Sequence, residues 1–158
     1  ATRIDLKNEE HYLFDWHQDY PYIQGSMDGI VFWIPLSPIS RKGAIEILES
    51  SHLKGLQKVQ IVDRENANNN GAKSMEIMFN QEFKKLNSKK ISINPGDVIM
   101  FSNLLLHRSL VQQDYPCRVT TQLRYSNFCN EDSISRGWPA GQIEGRDFDF
   151  DHPEFIVK

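Results

Sequence analysis

A chain of 158 residues has the length of one domain and can bury a sizeable core, and its 39% hydrophobic and 25% charged residues exclude a disordered or fibrous protein. A net charge of -3 without any block of like charges offers no basic face for nucleic acid or an anionic membrane. The longest apolar runs, residues 30–36 and 98–106, are too short to span a bilayer, and no signal-peptide pattern opens the chain, so a cytoplasmic protein is expected, its oligomeric state left open.

Taken in order, residues 1–16 are polar and then aromatic, a pattern that can enter a strand leading to His17. In an extended segment His17 and Asp19 project from one face while Gln18 points away. Pro21, Gly25 and Gly29 mark a loop, in which Tyr20 and Tyr22 could touch a substrate or simply pack. Residues 30–36 read as a strand ending near Pro35, and residues 44–48 as the returning strand after a turn at 38–43. His52 reads as a histidine bonded within its own loop, and His11 as a surface or packing one. Residues 63–73 form a polar, Asn-rich loop. Met75, Met78, Phe79, Phe83 and Leu86 then recur at helical spacing, which predicts a short amphipathic helix with Ser74 as its N-cap. Strand character resumes at 91–93, turns at Asn94-Pro95-Gly96-Asp97, and continues through 98–101. Residues 104–106 then deliver His107. After a second turn, residues 118–125 alternate as a strand carrying Arg118, Thr120 and Gln122 on one face. Beyond Phe128 loops with little regular structure are expected. Cys117 and Cys129 have the spacing of neither a zinc ribbon nor a redox motif and read as buried free thiols. Five or six short strands and one helix favour an antiparallel sandwich or double-sheet jelly roll.

His17 and Asp19 supply two metal ligands, and His107 is the best-placed third. Two histidines and one carboxylate on one face of a metal leave the opposite positions open, which suits non-haem Fe(II) oxygenases. His152-Pro153-Glu154 repeats the spacing, but Pro153 removes a ladder donor and acidic residues surround it. Arg118 follows His107 by eleven residues. Its planar, permanently charged fork fits the carboxylate of an acidic cosubstrate, and Thr120 on the same face can add a hydroxyl donor. Against this stands the reading of His17 and His107 as core histidines and of Arg118 as a surface ion-pair residue.

His17-Gln18-Asp19, Trp33, Gly43, Ser51-His52, Gly96-Asp97 with Phe101, His107-Arg108-Ser109 and Arg118, in this order and spacing, resemble the signature of the phytanoyl-CoA dioxygenase-like (PhyH) family of Fe(II)- and 2-oxoglutarate-dependent oxygenases. The resemblance covers residues 15–127 of a single oxygenase domain spanning 1–158, without the longer N-terminal region that family members carry. It implies a mainly β, double-stranded β-helix (jelly roll, cupin-like) with one or few short helices. His17, Asp19 and His107 would hold iron. Arg118 would grip the distal carboxylate of 2-oxoglutarate, with Ser109 and Trp33 lining the pocket and O2 as second cosubstrate. One departure is Glu49-Ser50, where the family has Pro-Gly before the Ser-His pair. The implied chemistry is oxidative decarboxylation of 2-oxoglutarate to succinate and CO2 coupled to substrate oxidation. Because Asp19 fills the carboxylate position, hydroxylation is expected over halogenation. The loops carry no Lys/Arg cluster for a coenzyme A phosphate, so a small polar or cationic substrate is expected. The alternative is a cupin-like module that binds a metal or small ligand without turnover.

Overall fold

The β-branched and aromatic runs of the sequence become strands, and their pairing builds two facing layers. In the computed structural model, which describes residues 1–10, 13–40, 44–62, 74–138 and 148–157, the strands are β1 (Thr2–Leu6), β2 (Ile30–Pro35), β3 (Ile45–Leu48), β4 (Val59–Val62), β5 (Ser74–Ile77), β6 (Ser88–Ile91), β7 (Ile99–Ser102), β8 (His107–Ser109) and β9 (Cys117–Tyr125). Short helices α1 (Tyr20–Ile23), α2 (Glu131–Ser135) and α3 (Phe148–Asp151) and three 3-10 turns complete the described residues.

The first layer has the order β1-β9-β2-β7 and the second β6-β3-β8, every pair antiparallel. His17 adds an antiparallel bridge to His107 on the open side of β8. The chain therefore alternates between layers: β1, the His17 bridge, β2, β3 and β6, β7, β8, β9. That order is a double-stranded β-helix, as the sequence predicts. Val31 and Trp33 of β2 and Phe101 of β7 interdigitate with Ala44, Ile45 and Ile93 from the opposite layer, burying the inter-layer core. On the far side of the second layer Leu48, Phe83 and Leu106 close a smaller cluster. The outer face of the first layer is apolar and open: Ile4, Leu6, Ile30, Met100, Leu123 and Tyr125 are exposed on it.

The helix expected at 74–86 does not form. Ser74 begins β5, which pairs with β4 in a hairpin, Met75 facing Ile61 and Ile77 facing Val59. Met75 joins Tyr20, Val59 and Phe148 in a cluster that seats the hairpin and the C-terminal segment against α1. The apolar positions 75 and 77 obey a period of two. Only Phe83–Lys85 turns helically, as a 3-10 turn whose opening amides at Glu82 and Phe83 donate to the Asn80 side chain. A β pairing partner in residues 59–62 outweighs the weak local helical pattern. The tail is also more regular than expected, with α2 capped by Asn130 and α3 leading into a 3-10 turn at Pro153–Phe155. Residues 1–16 enter no strand at Trp16; the N-terminal strand is β1, far earlier. Cys117 is half-buried and Cys129 exposed, both free, so neither is the fully buried thiol expected. The 94–97 turn forms as read, with Gly96 at a φ of +99° and the Asp97 amide donating to the Asn94 carbonyl. His11, Gly43 and the loop at 63–73 lie outside the described residues.

Leu106 is fully buried in the smaller cluster and its amide donates to the Ser51 hydroxyl. Leu106→Ala should therefore cost about 2 to 5 kcal/mol of stability, visible as a lower urea midpoint at unchanged slope. Leu53→Ala, at a side chain 75% exposed, should stay within about 0.5 kcal/mol of the unmutated protein.

Candidate metal centre

The centre is assembled by one hydrogen-bonded residue pair. The His17 amide donates to the His107 carbonyl (3.0 Å) and the His107 amide returns to the His17 carbonyl (3.1 Å). Residues opposed in this way show their side chains on the same face. The two imidazoles consequently lie side by side, 4.2 Å between ring centres with their planes tilted by 47°. Each ring is oriented by the carbonyl two residues upstream: His17 Nδ1 lies 2.7 Å from the Asp15 oxygen and His107 Nδ1 2.9 Å from that of Leu105. A carbonyl can only accept, so both Nδ1 atoms carry hydrogen and both Nε2 lone pairs face the centre.

Asp19 supplies the third donor. Its Oδ1 lies 3.6 Å from His17 Nε2 and 3.8 Å from His107 Nε2, and the ligand atoms of all three residues fall within 4.8 Å of one another. That spacing, together with neutral imidazole and carboxylate, fits one divalent ion about 2 Å from each donor. All three residues are buried. Burial pushes the His107 imidazole down to about 4, with His17 adding to the effect and Asp19 opposing it. The ring is neutral at pH 7, as a ligand must be. For Asp19 burial acts upward, but the adjacent His17 and His107 imidazoles and the Arg124 guanidinium outweigh it and hold the carboxyl well below its usual range.

The surrounding chain fixes the position of Asp19. Its amide donates to the Asn103 carbonyl (2.9 Å), and its own carbonyl accepts from Tyr22 and Ile23 at the start of α1. The Asn103 side chain in turn donates to the Ser26 carbonyl at 2.8 Å. This clasp needs Gly29, because a Cβ there would stand 2.6 Å from Asn103 Nδ2. Gln18 points away from the centre, as the alternation requires. Its buried amide donates to the Gly55 and Leu104 carbonyls and accepts from the Gln57 amide, pinning the Ser51–Lys54 turn against the segment that precedes His107. At the head of that turn Ser50 adopts a left-handed φ of +63°, the conformation that glycine tolerates best. The family's glycine at this place meets a demand of the backbone, and serine meets it here under strain.

Arg118 is a buried residue. Its guanidinium donates through Nε (3.0 Å) and Nη2 (2.6 Å) to Asp5 Oδ2, and through Nη1 to the Ala44 (2.6 Å) and Leu110 (3.0 Å) carbonyls. The reading of Arg118 as a surface ion-pair residue fails on its 2% exposure. Its tip thus crosses from β9 to the second layer at the Leu110 carbonyl, one residue past Ser109, which lies two residues from His107 on the same face of β8. Trp33 lies with its ring centre 5.9 Å from the Arg118 guanidinium carbon, and Thr120 is buried on the same inner face of β9. Tyr20 is fully buried, its hydroxyl bonded to His152 (2.9 Å) and Arg136 (2.8 Å), so it packs and cannot meet a substrate. His152 and the exposed His52 stand apart from the centre.

Sequence reasoning overlooked Asp5, Asn103 and Arg124. The signal for Arg124 was present, since the face read as Arg118, Thr120 and Gln122 continues to it with the same period of two. Asp5 sits opposite Arg118 in the β1 and β9 register, which no short-range pattern encodes.

Among solved structures, the chain is similar to the non-haem α-ketoglutarate-dependent epimerase SnoN from nogalamycin biosynthesis (12% identity, TM-score 0.54, 80% of this chain and 44% of that one). It is also similar to the carbocyclase SnoK from the same biosynthesis (15%, 0.56, 92% and 57%) and to EvdO2 from Micromonospora carbonacea var. aurantiaca complexed with 2-oxoglutarate (16%, 0.56, 87% and 55%). The chain thus spans about half the length of the solved structures it matches, and at these identities the likeness establishes the fold. The phytanoyl-CoA dioxygenase (PhyH) profile matches residues 7–111, from the end of β1 through His17, Asp19 and His107, and the chain belongs to that family.

Proposed function

We propose that this chain carries an Fe(II)- and 2-oxoglutarate-dependent oxygenase centre that hydroxylates a small molecule, with release of succinate and CO2. The observation that carries the reading is the convergence of two tautomer-fixed Nε2 atoms and one carboxylate oxygen on a single point, with no fourth His, Cys, Asp or Glu donor in the cluster among the described residues. Three protein ligands leave coordination positions for a chelating cosubstrate and O2. Iron held there supplies the redox chemistry that couples decarboxylation of 2-oxoglutarate by O2 to oxidation of a C–H bond. Support from the fold relatives is that SnoN was solved in complex with Fe3+, α-ketoglutarate and a nogalamycin compound.

The chain's own residues have definite parts in this reading. His17, Asp19 and His107 hold the metal from one side. Arg118 anchors the distal carboxylate, since its tip bonds the Leu110 carbonyl, three residues past His107 along the chain. Ser109 and Thr120 offer hydroxyls along the way, and Trp33 walls the pocket behind the guanidinium. Phe101 packs its ring 4.8 Å from that of His107 and also lines a cavity of about 700 Å3 together with Asp28, Glu49 and His52. Two carboxylates in that lining support a polar or cationic substrate. Hydroxylation is proposed over halogenation because Asp19 takes the place a halide would need.

One observation favours the competing reading, a module that binds metal without turnover. Four hydrogen bonds from Arg118 are already committed to protein acceptors, two of them to Asp5. Anchoring 2-oxoglutarate then requires one carboxylate to replace another. Succinate release on addition of 2-oxoglutarate and O2 to the iron-loaded protein separates the two; metal binding without any such turnover would leave the module.

Four outcomes follow from the reading. Anaerobic calorimetry should give one Mn(II) or Fe(II) site per chain, abolished in the His17→Ala, His107→Ala double variant. Arg118→Ala should weaken 2-oxoglutarate binding at least about thirtyfold, the lower end of the 2 to 5 kcal/mol lost when one partner of a buried charge pair is removed. Asp5→Asn should do the reverse: 2-oxoglutarate should raise its melting temperature more than that of the unmutated protein, because Arg118 then has no competing carboxylate. The last outcome concerns pH in the metal-free protein. Unfolded histidine titrates near 6.5 and folded His107 near 4, so the unfolded chain binds the extra proton between those values. The contribution is complete above about pH 6.5 and is lost as pH falls toward 4, at most roughly 3 kcal/mol. Urea stability measured across this window should fall less steeply for His107→Gln.

A further inference from the structure

We infer that Arg124 is a positioning residue that holds Asp19 as a one-oxygen ligand, an inference that rests on the metal-centre reading. The two oxygens of Asp19 have different surroundings. Oδ1 faces both histidine Nε2 atoms, whereas Oδ2 accepts from Arg124 Nε at 2.9 Å. A carboxylate can chelate an ion through both oxygens or offer only one, and a hydrogen bond that occupies the second favours the latter. Arg124 suits that task because its charge is permanent and its planar fork sets a direction as well as a distance.

Arg124 is itself held in place. It sits on the inner face of β9, opposite Val31 of β2, and its Nη2 donates to the Gln122 side-chain oxygen two residues earlier on the same face. The guanidinium is thus fixed between Gln122 and Asp19, while 23% of the side chain remains open to solvent at the rim of the centre. The backbone of Asp19 is set independently by Asn103, so Arg124 acts on the rotation of the carboxylate and leaves its location alone. Its consequence for the centre is a coordination count. With Asp19 giving one oxygen, three of six positions are left; with both oxygens bound, only two are, too few for a bidentate 2-oxoacid and O2 together.

The test uses Mn(II) and Co(II) as probes on Arg124→Gln and Arg124→Lys, with His107→Ala as control. Arg124→Gln should weaken Mn(II) binding about 10- to 100-fold, the usual effect of losing a partner that orients a ligand, and should alter the Co(II) ligand-field spectrum. Arg124→Lys, which restores the charge but not the fork, should recover part of the affinity. A folded Arg124→Gln protein with unchanged Mn(II) affinity and Co(II) spectrum, beside a His107→Ala protein that has lost the ion, would overturn the inference and leave the metal centre standing. If His107→Ala kept the ion as well, the metal-centre reading itself would fall. A measurement on the unmutated protein removes dependence on folding of the variants. With 13C-labelled aspartate and Asp19→Asn as reference, the Mn(II)-bound carboxylate should show the wide splitting of its infrared stretches typical of one-oxygen binding; a narrow, two-oxygen splitting would overturn the inference.

Discussion

The antiparallel bridge between His17 and His107 is the constraint on which the centre depends. Two backbone hydrogen bonds place the imidazoles side by side, and two more, from each Nδ1 to the carbonyl two residues upstream, turn both Nε2 atoms to the same point. The donors are oriented before any ligand arrives, so ordering them costs little at the moment of binding. A shift of one residue in this register would turn one ring to the opposite face and leave a single histidine at the centre. Gln18 guards against that shift. Its three hydrogen bonds tie the residue between the two ligands to the 55–57 backbone and to Leu104, so the His17 segment and the approach to His107 are fastened to the same points.

β9 is the second organising element, because its inner face is polar along its whole length. Arg118, Thr120, Gln122 and Arg124 alternate inward while Val119, Thr121, Leu123 and Tyr125 face out. Buried cations are tolerated only where each is matched. Arg118 is matched by Asp5 and by two carbonyls of the second layer, and Arg124 by Asp19 and Gln122. One strand therefore connects Asp19 of the candidate metal centre, at its far end, with the Arg118 fork that binds the Asp5 carboxylate at its start. The distance between those ends is fixed by strand geometry, independent of loop conformation.

What the sequence disclosed follows the range over which each signal acts. The strands at 30–35 and 118–125, the 94–97 turn and the shared face of His17 and Asp19 are local patterns of period two or of turn chemistry, and they stand as read. The convergence of His107 upon that face is long-range: its place after a strand and a turn made it the best-placed third candidate, and the ordered resemblance to a family gave that choice its weight. Period-two alternation at 75 and 77 was masked by apolar residues at 78, 79, 83 and 86 that complete a helical pattern, and nothing local reveals that residues 59–62 wait to pair with them. Asp5 is the clearest limit. Its meaning lies entirely in facing Arg118 across 113 residues of chain, and the β1 sequence, with Ile4 and Leu6 outward and Arg3 and Asp5 inward, reverses the usual association of apolar with inside.

That reversal gives Asp5 its consequence. An arginine buried without a partner would cost several kcal/mol, and a cosubstrate site that kept its arginine unpaired while empty would carry that cost in every resting molecule. Asp5 supplies the missing charge from an edge strand. β1 is paired on one side only, to β9, so a change at Asp5 disturbs fewer contacts than one in a central strand would. Arg3 stands beside Asp5, donates to its other oxygen and lies 5.1 Å from the ring centre of Phe14, which in turn packs against His17. On the proposed reading, a cosubstrate carboxylate arriving at Arg118 replaces one carboxylate with another, and Asp5 keeps Arg3 as its partner. The same pairing that makes Arg118 look occupied is what allows a permanently charged fork to remain buried.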